Sequence, residues 1–202
     1  MKHAPRLFVL LASACLVVFT LANFAQAQRV DFAFGVSTLT APSASDARGD
    51  HAPMSLTGGA YPGFSADVLI LGHLGVGGEV YWKASQGNYL NSGVGFRPFI
   101  YDVNAVYAPK IAPHVNLEID AGIGALSTRF YTGTTCGPFG CVNYTDSNHF
   151  MGDFGGGLKI YGRGGFFIRP EARFYLVNNN VEFSSSHFTR FGASIGYTFG
   201  GR

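Results

Sequence analysis

The chain has 202 residues, with 14 Lys and Arg against 12 Asp and Glu, and only 13% of residues are charged, where a soluble domain carries about 25%. It has no basic stripe that would footprint a nucleic acid. Aromatic residues make up 15% and there are 28 glycines, a balance that suits a strand-rich protein in a membrane.

Residues 1–27 have the layout of an export signal: Lys2 and Arg6, an apolar core over 7–24, then Ala25-Gln26-Ala27. Cleavage after Ala27 leaves Gln28 first. The apolar run approaches the length of about 20 residues that spans a bilayer, so a retained anchor is the alternative; the Ala-x-Ala ending favours removal. Cys15 lies inside the apolar core, with Ala12 three positions before it, and leaves with the signal. Without Lys2 and Arg6 the mature chain is formally neutral. Residues 28–202 amount to one domain.

Eight stretches then alternate between a polar or small row and an apolar row, as strands with opposite-facing side chains do. Over 30–39, Asp31, Ala33, Gly35 and Ser37 oppose Val30, Phe32, Phe34 and Val36. Over 64–71, Ser65 and Asp67 oppose Phe64, Ala66, Val68 and Ile70, and over 76–83, Gly77, Glu79, Tyr81 and Lys83 oppose Val76, Gly78, Val80 and Trp82. The fourth, 99–107, sets Asp102 and Asn104 against Phe99, Tyr101, Val103, Ala105 and Tyr107. The fifth, 114–123, is the cleanest, with His114, Asn116, Glu118, Asp120 and Gly122 against Val115, Leu117, Ile119, Ala121 and Ile123. In the sixth, 153–161, Asp153 and Lys159 share a row of glycines opposite Phe154, Leu158 and Ile160. The seventh, 166–177, puts Arg169, Glu171 and Arg173 opposite Ile168, Pro170, Ala172 and Phe174. The eighth, 190–199, sets Arg190, Gly192, Ser194, Gly196 and Thr198 against Phe191, Ala193, Ile195, Tyr197 and Phe199.

Connections alternate between short ones (72–75, 108–113 and 162–165) and longer ones rich in Ser, Asn, Asp, Gly and Thr. That rhythm is expected of an outer-membrane barrel, with tight periplasmic turns and longer outer loops. Hydrocarbon tolerates no unpaired backbone, so a spanning sheet must close on itself. A soluble lipocalin-like barrel would turn the apolar row inward. Rings at the ends of the apolar rows, among them Phe99, Tyr107, Phe191, Tyr197 and Phe199, read as membrane-interface girdles. The expected fold is all-β: an eight-stranded antiparallel up-and-down transmembrane β-barrel behind a signal peptide.

With its export signal, its eight alternating stretches and the closing run from Phe191 through Gly192, Ala193, Ser194, Ile195, Gly196, Tyr197 and Thr198 to Phe199, the mature chain resembles the small OmpA/OmpX-type outer-membrane β-barrels. It departs from their aromatic ending, because Gly200, Gly201 and Arg202 follow Phe199. The resemblance implies residence in the bacterial outer membrane among its lipids, delivery by the barrel assembly machinery, and a structural or surface-interaction role for the loops, with a surface partner of unknown kind.

The polar rows place Glu79, Lys83, Asp102, Glu118, Asp120, Asp153, Lys159, Arg169, Glu171, Arg173 and Arg190 in the lumen. Eight strands leave an interior only just wide enough for side chains to fill. A paired network filling the lumen is therefore expected over an ion path, which stays as the alternative of a small porin-like channel. Cys136 and Cys141 bracket a turn in an oxidising compartment and read as a loop disulfide. No metal, cofactor or catalytic set is expected. Arg48-Gly49-Asp50 is ordinary turn chemistry. His187 and Thr189 share the His-x-Ser spacing of outer-membrane lipid A deacylases without the Ser, so a lipid-modifying enzyme is the least favoured reading. His114 and His149 read as isolated rim residues. Pro98 and Pro170 cannot donate to a ladder, and a bulge or a lost bond is expected at each.

Overall fold

The computed structural model describes residues 29–41, 55–89, 92–137, 140–179, 182–183 and 186–200. The export signal with Cys15, the Arg48-Gly49-Asp50 tripeptide and the last two residues lie outside them. The strands are β1 (Arg29–Thr40), β2 (Tyr61–Leu71), β3 (Leu74–Trp82), β4 (Gly87–Tyr89), β5 (Val94–Tyr107), β6 (Lys110–Ala112), β7 (Val115–Gly137), β8 (Gly140–Tyr161), β9 (Phe166–Val177) and β10 (His187–Phe199). Eight of them are staves of a closed antiparallel barrel; β4 and β6 are short additions beside β5 and β7. Closure comes from β10 pairing back onto β1, from Val30↔Phe199 to Thr40↔Thr189. The sheet therefore has no free edge at barrel height.

Strand alternation becomes an inside and an outside. On β1, Asp31, Ser37 and Leu39 are buried while Phe32, Phe34 and Val36 are exposed. Around the circumference the outward row holds Phe34, Phe64, Tyr101, Ile123, Phe154, Ile168 and Ile195, with Ile195 65% exposed, while Lys159 and Arg169 inside are 0% exposed. A protein folded in water would arrange these the other way round. Hydrocarbon is the solvent in which such an outer face carries no penalty.

The tight ends need glycine. Gly72 in the 72–73 turn has φ +62°, and Gly164 in the short 3-10 turn after β8 has φ +71°, a left-handed conformation that costs other residues strain. Inside, small residues make room for large neighbours. A Cβ on Gly155 would come within 2.5 Å of the Arg173 Cγ, and one on Gly63 within 2.4 Å of the Tyr81 ring.

The largest extensions beyond the amphipathic pattern are in three strands. β5 begins at Val94 rather than at 99, and β7 and β8 pair with one another all the way to Gly137↔Gly140. They form a hairpin that leaves the barrel, because β5 stays with β7 only as far as Gly95↔Tyr131 and β9 stays with β8 only as far as Met151↔Val177. Beyond those points neither lipid nor lumen imposes a period of two. The disulfide Cys136–Cys141 ties the end of this hairpin.

Of the two outcomes expected at the prolines, a bulge or a lost bond, the structure shows the lost bond. Pro170 keeps register with Ala193 on β10. On its other side the β8–β9 ladder skips Leu158/Pro170 and Lys159/Arg169 and resumes at Ile160↔Ile168 with register unchanged. Pro98 pairs with Thr128, and the β3 ladder stops beside it at Trp82↔Phe99. Its carbonyl still accepts the Lys83 N–H at 3.0 Å. The missing donors thus fall at a strand end and at a local gap, both tolerated positions.

Candidate functional site

The lumen is filled by two linked ionic layers. In the first, Lys159 Nζ lies 2.7 Å from Asp31 Oδ2 and 2.9 Å from Asp67 Oδ2, and it also pairs with Glu118. Arg169 reaches Glu118 at 2.6 Å and Glu171 at 2.9 Å, and donates to Ser65 Oγ at 2.7 Å. Arg29 joins through Asp31 at 2.9 Å. In the second layer Arg190 pairs with Glu79 at 2.5 Å and stacks over the Tyr81 ring at 3.7 Å. Arg173 gathers Asp120 at 3.0 Å, Asp153 at 3.2 Å and Asp102 at 3.9 Å. Tyr175 donates to Glu79 within the second layer at 3.0 Å, and Tyr81, under Arg190, joins that layer to the first by donating to Glu171 at 3.1 Å. Ions buried this deeply need partners on several sides, since loss of one leaves an uncompensated charge.

Ten of the eleven lumen residues named from the sequence meet in this network. Lys83 does not: it lies past the end of β3, with its ammonium 4.8 Å from the centre of the Phe96 ring, and no ion pair joins it among the described residues. Asp31 and Asp67 are partners that the list omits although they stand on the polar rows. Asn104, Tyr81, Tyr175, Ser65 and Ser194 belong with them. Their signal was position on the inward row rather than charge. No group of three His, Cys, Asp or Glu placed to hold a metal ion occurs among the described residues.

Above the ions, at the long-loop end, the lumen turns apolar. Phe96, Ile100, Leu126, Met151, Val177, Phe183 and Phe188 form one buried cluster, with Tyr89 and Phe130 packed against it. Phe183 comes from the segment between β9 and β10 and sits 5.4 Å from Phe96, centre to centre. Its neighbour Glu182 is held on three sides. Tyr89 donates to the Glu182 carbonyl at 2.9 Å, His149 Nε2 lies 2.7 Å from Oε2, and the Ser147 hydroxyl donates to Oε1. Burial works to raise the Glu182 carboxyl, but the Ser147 hydroxyl, its own backbone N–H and His149 outweigh it and hold it below the ordinary glutamate value. His149 is thus not the isolated rim residue that its sequence setting implies. Glu182 lies outside every amphipathic stretch, so no strand pattern pointed to it. His114 remains an exposed turn residue, and the His187 ring packs 5.5 Å from Phe174.

Ser147, His149 and Glu182 are the side chains of a hydrolytic triad, but their geometry is different. One imidazole nitrogen, Nε2, faces both the serine, at 3.1 Å, and the glutamate, and the serine gives its proton to the carboxylate. A triad histidine uses one nitrogen for each partner and takes the serine proton itself. The arrangement grips a loop.

An eight-stranded barrel with an apolar outer face, an ionic interior and alternating short and long connections is the architecture of the small transmembrane β-barrels. No family model matches the chain, and no curated protein matches it. Among solved structures it resembles Neisserial surface protein A (NspA) with a TM-score of 0.58 at 10% identity, over 85% of this chain and 97% of that one. It resembles Ail, the attachment invasion locus protein of Yersinia pestis, with a TM-score of 0.51 at 12% identity, over 86% and 99%. The N-terminal β-barrel domain of Pseudomonas aeruginosa OprF gives 0.50 at 15% identity, over 86% and 98%. The chain shares the fold of these small outer-membrane barrels, as its sequence pattern implied.

Proposed function

We propose that this protein is a non-enzymatic barrel of the bacterial outer membrane, exported by its leader over residues 1–27, that serves the envelope structurally and meets partners through its long connections. One observation supports the reading: the ionic layers around Lys159, Arg169, Arg173 and Arg190 and the aromatic cluster above them are buried within the lumen. A filled lumen supplies rigidity but no path. The β7–β8 hairpin with its disulfide, standing clear of the barrel, is the part best placed to touch another surface. Outer-membrane lipid surrounds the belt, and the barrel assembly machinery delivers it there.

The purified protein in planar bilayers is expected to show no stable unitary conductance; well-defined channels would overturn the filled-lumen reading in favour of a porin-like one. In cells it is expected to fractionate with the outer membrane and to migrate differently on gels with and without heating. A freely soluble periplasmic product would refute the assignment. The lipid-modifying alternative draws on Ser147, His149 and Glu182. It predicts altered lipid A on expression that Ser147→Ala abolishes, and no alteration is expected.

A further inference from the structure

We propose that Arg97 and Arg129 form a docking site for the phosphate of an anionic lipid headgroup, one whose charge no choline cancels, at the long-loop edge of the apolar belt; the site rests on the membrane reading above. Arg97 on β5 stands directly opposite Arg129 on β7, and Arg129 stands opposite Asp146 on β8. Their chain neighbours Phe96 and Thr128 are buried inside, so by alternation all three face outward. Like charges directly opposite on neighbouring strands repel, and this row has two cations to one anion.

The two arginines are not equally provided for. Arg129 Nε donates to Asp146 Oδ1 at 3.0 Å, with both side chains about one-third exposed (35% and 32%). Its guanidinium lies 4.1 Å from the Tyr144 ring and 5.6 Å from the Phe99 ring. Among the described residues Arg97 has only the Ala84 carbonyl, 3.5 Å from Nη2, and its buried Nε has no hydrogen-bond partner there. Among them the row is therefore one acceptor short, at the guanidinium that none of their carboxylates reaches.

Height decides the class of acceptor. On the barrel side of the row lie Trp82 and Phe99, paired with each other, and then the exposed Tyr101 and Val103. On the other side the paired Tyr131 and Tyr144 begin the projecting hairpin. Rings at such a border mark the level of headgroups. A guanidinium fork matches a phosphate in a bidentate way that a lysine cannot. A lipid whose chains lie on Tyr101 and Val103 brings its phosphate to this row without further ordering, which a free anion does not.

The test uses the whole mature barrel, refolded into vesicles of phosphatidylcholine with phosphatidic acid, released in mild detergent and weighed with its retained lipid by native mass spectrometry. Phosphatidic acid should be retained over phosphatidylcholine by about tenfold, the scale of one charge-assisted contact. Arg97→Gln should reduce that to about twofold or less, as should Arg129→Gln with Asp146→Asn, while Arg163→Gln at the opposite end should leave it unchanged. Equal retention of the two lipids, or a preference that survives both variants, overturns the site. Inorganic phosphate binding the detergent-held barrel as tightly as phosphatidic acid does would identify a free anion as the ligand and overturn lipid docking. A barrel that inserts into no vesicle sinks the membrane reading and the site with it; insertion with indiscriminate retention sinks the site alone.

Discussion

The ionic middle of the lumen and its aromatic mouth both close the barrel, but by opposite means. In the middle, the charged side chains are fixed to paired strands, and Lys159, Arg169, Arg173 and Arg190 are each held by several partners, as Lys159 is by Asp31, Asp67 and Glu118. At the mouth, packing is done by rings such as Phe96 and Phe183, and one carboxylate, Glu182, ties a connection down to β8. The middle cannot open without separating staves. The mouth can open by releasing one segment while the staves stay paired, because local openings cost only the contacts they break.

The largest effect should come from the middle. Arg169→Met leaves Glu118 and Glu171 buried without their main cation, and should lower unfolding stability in detergent by about 3–5 kcal/mol. Adding Glu118→Gln should restore part of it, since the stranded charge rather than the lost pair carries most of the cost. If Arg169→Met leaves the urea midpoint of the gel-shift transition in place, the ionic layers do not hold the barrel. At the mouth, Phe183→Ala should cost about 3 kcal/mol, the low end for a buried phenylalanine, and the loss should appear as faster amide exchange at Phe188 rather than as a lower midpoint. A global shift equal to that for Arg169→Met would erase the distinction between the two regions.

The Glu182 tie should respond to acid. Its folded value lies below the ordinary 4.5, so its contribution is complete above pH 4.5 and is lost as pH falls through the lower folded value. Amide exchange at Phe183 and Phe188 should speed up in that acid window, on a scale of about 1 kcal/mol. Glu182→Gln should remove that dependence; an acid response unchanged by Glu182→Gln would place its origin elsewhere. The smallest effect on the barrel should come from Cys136→Ser with Cys141→Ser. The unfolding midpoint should move by no more than about 0.5 kcal/mol, whereas chymotrypsin should cut the hairpin after Tyr131 or Tyr144 faster. Unchanged cleavage would show that the disulfide does not stiffen the hairpin.

The amphipathic rows were legible because two unlike surroundings act on each stave, apolar outside and ionic inside, and a strand answers them with alternate residues. That sufficed for the strand number, the inward charges and the short turns. It failed for Lys83, whose row runs on past Trp82 in the sequence although β3 ends there. It also missed the upper halves of β7 and β8, and past Tyr131 and Tyr144 no second surrounding enforces a period.

By itself the sequence determined which side chains face each other's company and which face lipid, because side-chain direction in a strand follows from position alone. Only the tertiary structure decided who partners whom. Glu182 meets His149 across 33 positions and Lys159 meets Asp31 across 128, and Pro170 costs two ladder pairs rather than a bulge. Those outcomes depend on closure, which fixes the stagger of all eight staves at once and so sets which inward residues share a level. No local stretch of chain contains that information.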